Sequence, residues 1–438
     1  MTQLFNEFDP ANAATWKARL EKDLKGITFE ALSVKDRNDI TIHPFYTQED
    51  SESIVASGKE QPGWAICEQI IADDIATANL QALDALNNGA SGLCFTVKNE
   101  IDLNKLLNGI ELPYIYTQFK VSGFNRFEAS FLQYLSSKSI DLHSLQCFIS
   151  KDFIENYIAI GEWNKQTDTT LFLSQFDGLN QLCINAALYQ NAGANSVSEL
   201  AYTLAQLNEY LHLLDENKKI KDLKKIQITI TTDTNFYEQI AKLRALRNAS
   251  QLLLQQYGLN IPIHLHVETS NIYRSPFDSY SNLLRDTLAG MAGVLGGCDS
   301  LYIHAFDATL NESTAFSKRM SRNQQLVFKE ESYLDKVADV AAGSYYIETL
   351  TEQLSEKAWN SFKQIEAEGG LIASLESGLL KQQLNAQAQE LILEYKEGKR
   401  VLIGVNKFPN GTDMPKPSSS ESLNSKGIHP ILLSDSIL

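Results

Sequence analysis

The sequence predicts an α/β fold: a TIM-type (β/α)8 barrel with an N-terminal helical leader and a C-terminal helical extension. Three observations predict it. From about residue 60 to 305, short apolar strand-like runs alternate with longer amphipathic runs, and about eight such strands can be counted. Strands separated by helical stretches are the pattern of a parallel sheet closed through crossovers. The Gly-rich turn that would announce a doubly wound nucleotide-binding sheet is missing after the first strand.

Residues 1–30 read as the leader. Asp9-Pro10 suits a helix start, with a carboxylate cap and a proline where its missing N–H costs nothing. Trp16, Leu20 and Leu24 then recur along one stripe, and Gly26 closes the helix. A lone helix with such a stripe must bury it, either on its own barrel or on a partner chain.

Residues 31–375 read as the barrel. Its strand candidates are Trp64–Ile70, Gly92–Val97, Tyr114–Phe119, Thr170–Phe176, Gln181–Ala186, Ile226–Thr232, Ile261–Val267 and Leu301–Phe306. Leu145–Ile149 competes for the fourth place. Helical patterns over Ile75–Leu86, Phe127–Leu135, Val197–Leu214, Tyr237–Tyr257 and Ser281–Leu295 supply crossovers. A long helix from near Tyr345 carries its apolar stripe through Ile347, Leu350, Leu354, Ala358, Phe362 and Ile365 and stops before Gly369-Gly370. Residues 376–408 form the C-terminal helical extension, and 409–438, rich in Pro, Ser, Asn and Gly at first, read as a linker or disordered tail.

At 438 residues the chain suits one large barrel with additions, and 43% hydrophobic with 21% charged residues is ordinary globular composition. The net charge of −16 argues against a nucleic-acid or anionic-membrane partner. Five well-separated cysteines lack metal or redox spacing and read as buried thiols of a reduced, cytoplasmic protein, with no metal site. No apolar run approaches the roughly 20 residues of a membrane helix.

The most informative stretch runs from Tyr280 to Gly370. Its phrases Arg319-Met320-Ser321-Arg322-Asn323-Gln324, Glu330-Glu331-Ser332, Val337-Ala338-Asp339 and Gly343-Ser344-Tyr345-Tyr346, followed by Glu348 and Leu350-Thr351, closely resemble the substrate barrel of the methylmalonyl-CoA mutases. The resemblance implies a barrel that takes part in an adenosylcobalamin-dependent radical rearrangement, with the cofactor carrying the chemistry. It also implies that the leader, LFNEF…WKARLEKDLKG, lies at a subunit interface.

Two departures from the family pattern redirect the expectation. The cobalamin domain, with its D-x-H-x-x-G axial histidine, would follow the barrel; the near match Asp141-Leu142-His143 lies inside the barrel with Gln146 in place of glycine. The catalytic Tyr-His pair, aligned on Gln190 and Ala192-Gly193-Ala194, becomes Ala187 and Leu188. A family Arg- and Tyr-containing segment reads GKEQPGWAICEQIIADD here, and Arg-Thr-His-Ser becomes His264-Leu265-His266-Val267. Losses concentrated in the pocket resemble the small, non-catalytic subunit of the heterodimeric enzyme. That likeness implies adenosylcobalamin and acyl-CoA on a large catalytic partner, and none on this chain. The alternative is a catalytic acyl-CoA mutase barrel that uses a cobalamin domain on a separate chain.

His264 and His266 share one strand face, which suits hydrogen bonding inside the barrel. Arg319 and Arg322, three apart on a helix, are expected to pair with Glu330 and Glu331, with Asn323 in the same phrase; the resemblance implies a minor reading, a vestigial site, since the Glu331 region approaches the cofactor face in catalytic relatives. Asp339, Gly343 and Ser344 read as the turn and cap of the following helix. The lysine run from Lys218 to Lys225 reads as a solvated helix end.

Overall fold

The computed structural model describes residues 12–50, 59, 61–122, 126–309, 313–410 and 426–437. A small antiparallel hairpin, β1 (Val34–Lys35) and β2 (Thr41–Ile42), precedes the barrel. The barrel strands are β3 (Ala65–Ile71), β4 (Gly92–Val97), β5 (Tyr116–Val121), β6 (Cys147–Ser150), β7 (Gln181–Asn185), β8 (Lys225–Thr232), β9 (Ile263–Thr269) and β10 (Ser300–Tyr302). They form one parallel sheet in the order β6-β5-β4-β3-β10-β9-β8-β7, so first and last barrel strands are hydrogen-bonded neighbours. Where β6 meets β7, the Gln181 side chain does the bridging. With its amide assigned to satisfy both contacts, it donates to Cys147 O at 3.1 Å and accepts from Ile149 N at 3.2 Å.

Alternation along each strand decides what faces the helices. On β8, Ile226, Ile228 and Ile230 join the outer core, while Gln227, Thr229 and Thr231 turn into the lumen. On β9, Ile263, Leu265 and Val267 lie outward, and His264, His266 and Glu268 inward. Each buried aliphatic on the outer face contributes about 1.5–3 kcal/mol of transfer free energy, so this face drives folding. Short acidic or amide caps start the crossover helices. Asp74 accepts from Ala76 N at 3.0 Å, and Asn195 from Ser198 N at 2.9 Å.

One strand expectation is corrected. Residues 170–176 belong to a helix, Lys165–Leu179, and the fourth barrel strand is β6, at the competing Leu145–Ile149 run. Phe172, Phe176 and Leu179 are the buried residues of that helix, a helical stripe. Thr and Phe favour strands, but spacing overrides composition here. The leader helix spans Ala13–Asp23 with an Asn12 capping box; the Asp9-Pro10 start lies outside the described residues. The linker reading of 409–438 does not hold for its described stretch 426–437. There Ile428 N donates to Ile158 O, Ile431 N to Asn191 O and Leu433 N to Ile272 O, at 2.8–3.0 Å. Buried Ile428 and Leu433 explain why this stretch packs rather than trails. Among the described residues no helix is long and apolar enough to cross a membrane.

Two long helices, Phe236–Gln256 and Tyr345–Ala367, are fastened by a buried charge. Arg244 is 1% exposed, contacts Asp339, and donates to both carboxylate oxygens of Glu348 at 3.0 Å. Glu348 also accepts from Gly343 N at 2.9 Å, and Gly343 holds φ +81°, which a side chain would strain. The Asp339 and Gly343 phrases thus form a clamp on Arg244, and Ser344 occupies the helix cap position without a side-chain cap bond. Replacing Arg244 with methionine should strand these carboxylates and lower stability by about 3–5 kcal/mol. Urea denaturation would check this, and a loss below about 1 kcal/mol would contradict the clamp.

Candidate functional site

Barrel enzymes work at the C-terminal mouth, built from strand ends and the loops that follow. Here that mouth holds a network of mutually satisfied charges. Lys120 from β5 donates to Glu268 from β9 at 2.5 Å; His304, just beyond β10, lies 3.5 Å from the same carboxylate and His266 3.6 Å. Burial opposes ionisation of Glu268, yet Lys120 and the two imidazoles hold it well below the usual carboxylate range. Buried Arg274 donates to Asp286 at 2.8 Å and Ala305 O at 2.7 Å, while on the outer face of β3 Arg322 contacts Glu68.

Arg322 therefore does not pair with Glu330 or Glu331, contrary to expectation. Its helix, Ala315–Leu326, lays it on the outer face of β3, where Glu68 alternates with Ile66 and Ile70, while Glu330 and Glu331 are exposed on a π-turn after the helix. Arg319 is exposed and has no ion pair among the described residues. Asn323 is half-buried, and its carbonyl accepts from Val327 N–H at the helix end.

Beyond β7 the chain forms a short helix, Ala187–Asn191. Ala187 is buried and Leu188 packs against the main core, so neither position offers a proton donor. Around them polar groups answer one another: Gln190 donates to Asp233 at 2.8 Å and accepts from Thr231 at 2.5 Å. Lys242 donates to Glu199 at 2.6 Å with both side chains fully buried. Burial pushes the Glu199 carboxyl up to about 7 against the pull of Lys242.

The axis of the barrel is filled. Tyr116 stacks on His264 with centroids 4.8 Å apart and planes 3° from parallel, and its hydroxyl donates to Gln227 at 2.8 Å. Phe148 lies against both rings. Ser300 Oγ sits 2.8 Å from His264 Nε2 and 2.7 Å from His266 Nδ1, so both histidines make the interior hydrogen bonds foreseen for them. Burial lowers His264 to about 4, whereas the thiol of Cys94 and Glu268 outweigh burial and raise His266 to about 9. A hydrogen bond from Cys67 brings Cys94 down to about 6, with burial opposing and His266 assisting.

A cavity of about 1160 Å³ opens at the opposite, N-terminal mouth. Lys59 and Gln61–Trp64 line it, and Ala65, Tyr116 and His264 face it. Arg247 is already spent on Ile263 O, Gly297 O and Asp299 at 2.6–2.8 Å. In this fold that end ordinarily serves stability. The large cavity and the charged network thus lie on opposite sides of the Tyr116 plug. Meanwhile the additions gather on the catalytic side. Leu391, Ile392, Leu402, Val405 and Leu433 pack with Ile272 and Tyr273, beyond the end of β9.

Sequence reading missed Glu68, Lys120, Glu268 and Arg274. For Glu268 a signal existed, since His264, His266 and Glu268 alternate along one strand and must share a face. The leader also finds partners at home. Trp16 lies 4.7 Å from Phe45 and 6.1 Å, edge-on, from Phe29, while Leu20 and Leu24 stay half-buried.

A parallel barrel with a plugged axis and C-terminal additions over its catalytic side is the class that fold and site define. A family model described as Methylmalonyl-CoA mutase matches residues 73–428, and the chain belongs to that family. The methylmalonyl-CoA mutase small subunit of Porphyromonas gingivalis is 32% identical over 94% of this chain and 72% of its own. The corresponding small subunit of Streptomyces virginiae is 27% identical over 93% of this chain and 72% of its own. The methylmalonyl-CoA mutase of Cereibacter sphaeroides is 29% identical over 70% of this chain, which spans only 46% of that relative.

The Glu155 carboxyl, beyond β6, is pushed up to about 8 by burial and then by the neighbouring Asp152 charge. A raised carboxyl favours the protonated folded state, so its contribution is present below about 4.5 and fades as pH rises through about 8. Glu155→Gln keeps an acceptor for Asn185 and removes the titration. The variant should gain steadily on the wild type as pH rises across that window. Thermal midpoints of both proteins against pH check this; parallel curves would contradict it.

Proposed function

We propose that this chain is the non-catalytic, supporting subunit of an adenosylcobalamin-dependent methylmalonyl-CoA mutase. In this reading a large partner chain holds both acyl-CoA and cofactor. The observation that carries the reading is the state of the catalytic mouth. Where the migrating thioester carbonyl needs a proton donor, there is Ala187 and a core-packed Leu188. Where a substrate would pass along the axis, there is Tyr116 stacked on His264.

The residues present do not fit a corrin cofactor on this barrel. Residues 426–437 are bonded to the segments that follow β6, β7 and β9, on the side where barrel chemistry takes place. The cations of the mouth, Lys120 and Arg274, are each engaged with a carboxylate. No step of the rearrangement is therefore assigned to this chain. Its role is to present a stable barrel to a partner, in a reducing compartment such as the cytoplasm.

The surface around the leader suits that role. Phe45 is half exposed beside Trp16 and lines a groove with Tyr345 and Tyr346, and exposed Tyr237 stands edge-on to Tyr346. Contiguous exposed apolar surface of this kind marks association sites.

The deciding experiment is co-purification with the large mutase subunit, followed by mutase assay of each chain alone and of the pair. Activity only when the large chain is present supports the reading, and turnover by this chain supplied with a separate cobalamin domain overturns it. In the assembled pair, Leu188→Ala should leave the rate nearly unchanged. A tenfold loss with assembly intact, about 1.4 kcal/mol of transition-state stabilisation, would make Leu188 part of a working site. Removing residues 1–26 should weaken pairing by about 2 kcal/mol or more, since Trp16 is the sort of anchor that dominates interfaces. Undiminished affinity by titration calorimetry would assign the helix to its own barrel.

A further inference from the structure

The lumen brings together two thiols and an imidazole that the mutase reading leaves unused. Cys67 on β3, Cys94 on β4 and His266 on β9 are all buried, and their ligand atoms lie within 4.8 Å of one another. Chain spacing conceals this group, because barrel closure rather than a local motif assembles it. Cys94 Sγ faces His266 Nε2 at 3.9 Å. Tetrahedral zinc, with bonds of about 2.3 Å to sulfur and about 2.0 Å to nitrogen, sets such donors about 3.5–3.8 Å apart. The pair already stands close to that spacing.

Four features bear on a ligand among these residues. Ser300 engages Nδ1 of His266 at 2.7 Å, which directs Nε2 toward Cys94, the outer hydrogen bond that metal-binding histidines use. Glu268 stands 3.6 Å from the same Nε2 but is held by Lys120 at 2.5 Å. At Gly92, a Cβ would fall 2.6 Å from Cys67 Sγ, so the absence of a side chain is what gives that thiol its place. Gln118 is register-paired with Cys94, lies between inward-turned Tyr116 and Lys120, and is 0% exposed. Neither its amide nitrogen nor its oxygen has a hydrogen-bond partner among the described residues.

We propose that Cys67, Cys94 and His266 bind a thiophilic transition-metal ion of the zinc class, with the Gln118 amide turned to the fourth coordination position. Two thiolates and an imidazole are the donor set that suits zinc, and carboxylate-preferring magnesium or calcium would be refused. Binding forms two metal–sulfur bonds and one metal–nitrogen bond. Each thiol still protonated yields its proton to solvent, and no electron is transferred. Enclosed between the Tyr116–His264 stack and the Lys120–Glu268 pair, the ion ties β3, β4 and β9 across the lumen. Its role is structural. The N-terminal cavity reaches Ala65, Tyr116 and His264, neighbours two residues short of Cys67 and His266, and so offers the route of access.

The test uses the full-length chain, reduced and stripped with chelator, then titrated with cobalt(II) or zinc(II) alone. Cobalt should give thiolate-to-metal charge-transfer absorption and tetrahedral d–d bands saturating at one ion per chain, and zinc should displace it and raise the thermal midpoint. Cys67→Ser and Cys94→Ser should abolish the charge-transfer absorption, while Cys298→Ser, outside the cluster, should leave it intact. Ser300→Ala should weaken zinc about 10–100-fold. Absence of the charge-transfer absorption on the wild-type chain would overturn the proposal without recourse to any variant. So would its persistence in the Cys67→Ser/Cys94→Ser double variant.

Discussion

Every strand of this barrel places alternate side chains in a narrow, buried lumen, where an unmatched polar group is costly. That constraint organises the molecule from the axis outward. Tyr116 takes Gln227 as its acceptor, Ser300 serves two histidines, and Lys120 neutralises Glu268. Because the outward positions of the same strands are aliphatic, the helices dock on a surface that makes no polar demands. Inside, specificity comes from pairing; outside, stability comes from area.

The same constraint decides how much of the mouth is left open to a ligand. An active site keeps some groups uncommitted, ready for a substrate that completes them. Here the mouth carboxylates and cations complete one another, and the C-terminal segment adds backbone hydrogen bonds above them. Sites built of residues already satisfied among themselves bind little, since a newcomer must break a good pair to make another. The family scaffold survives because its phrases are structural: Asp339, Gly343 and Glu348 hold Arg244, and Arg322 holds Glu68.

Much of the fold is legible in the sequence because the relevant signals are local. The stripe of the Tyr345–Ala367 helix, the alternation of Ile226, Ile228 and Ile230, and the Gly369-Gly370 stop all read directly. Thr170–Phe176 misleads because β-branched and aromatic residues crowd there, while the stripe of Phe172, Phe176 and Leu179 lies on a helix. The site is less legible. That Arg322 would face Glu68, some two hundred and fifty positions earlier in the chain, follows from closure of the sheet and from nothing near Arg322 itself. That positions 187 and 188 hold no side-chain donor is readable, since an alanine and a leucine cannot donate wherever they are placed.

The seam between β6 and β7 has a mechanical meaning. Backbone hydrogen bonds join β3 to β10, strands from the two ends of the barrel sequence, whereas β6 and β7, close neighbours in sequence, meet through the amide of Gln181. The barrel is therefore a single curled ribbon with a side-chain clasp rather than a seamless hoop. A ribbon can loosen at its clasp and admit small solutes to its interior while all seven of its backbone-paired joints stay shut. Any rearrangement of the packed lumen has this one line along which it disturbs no strand ladder.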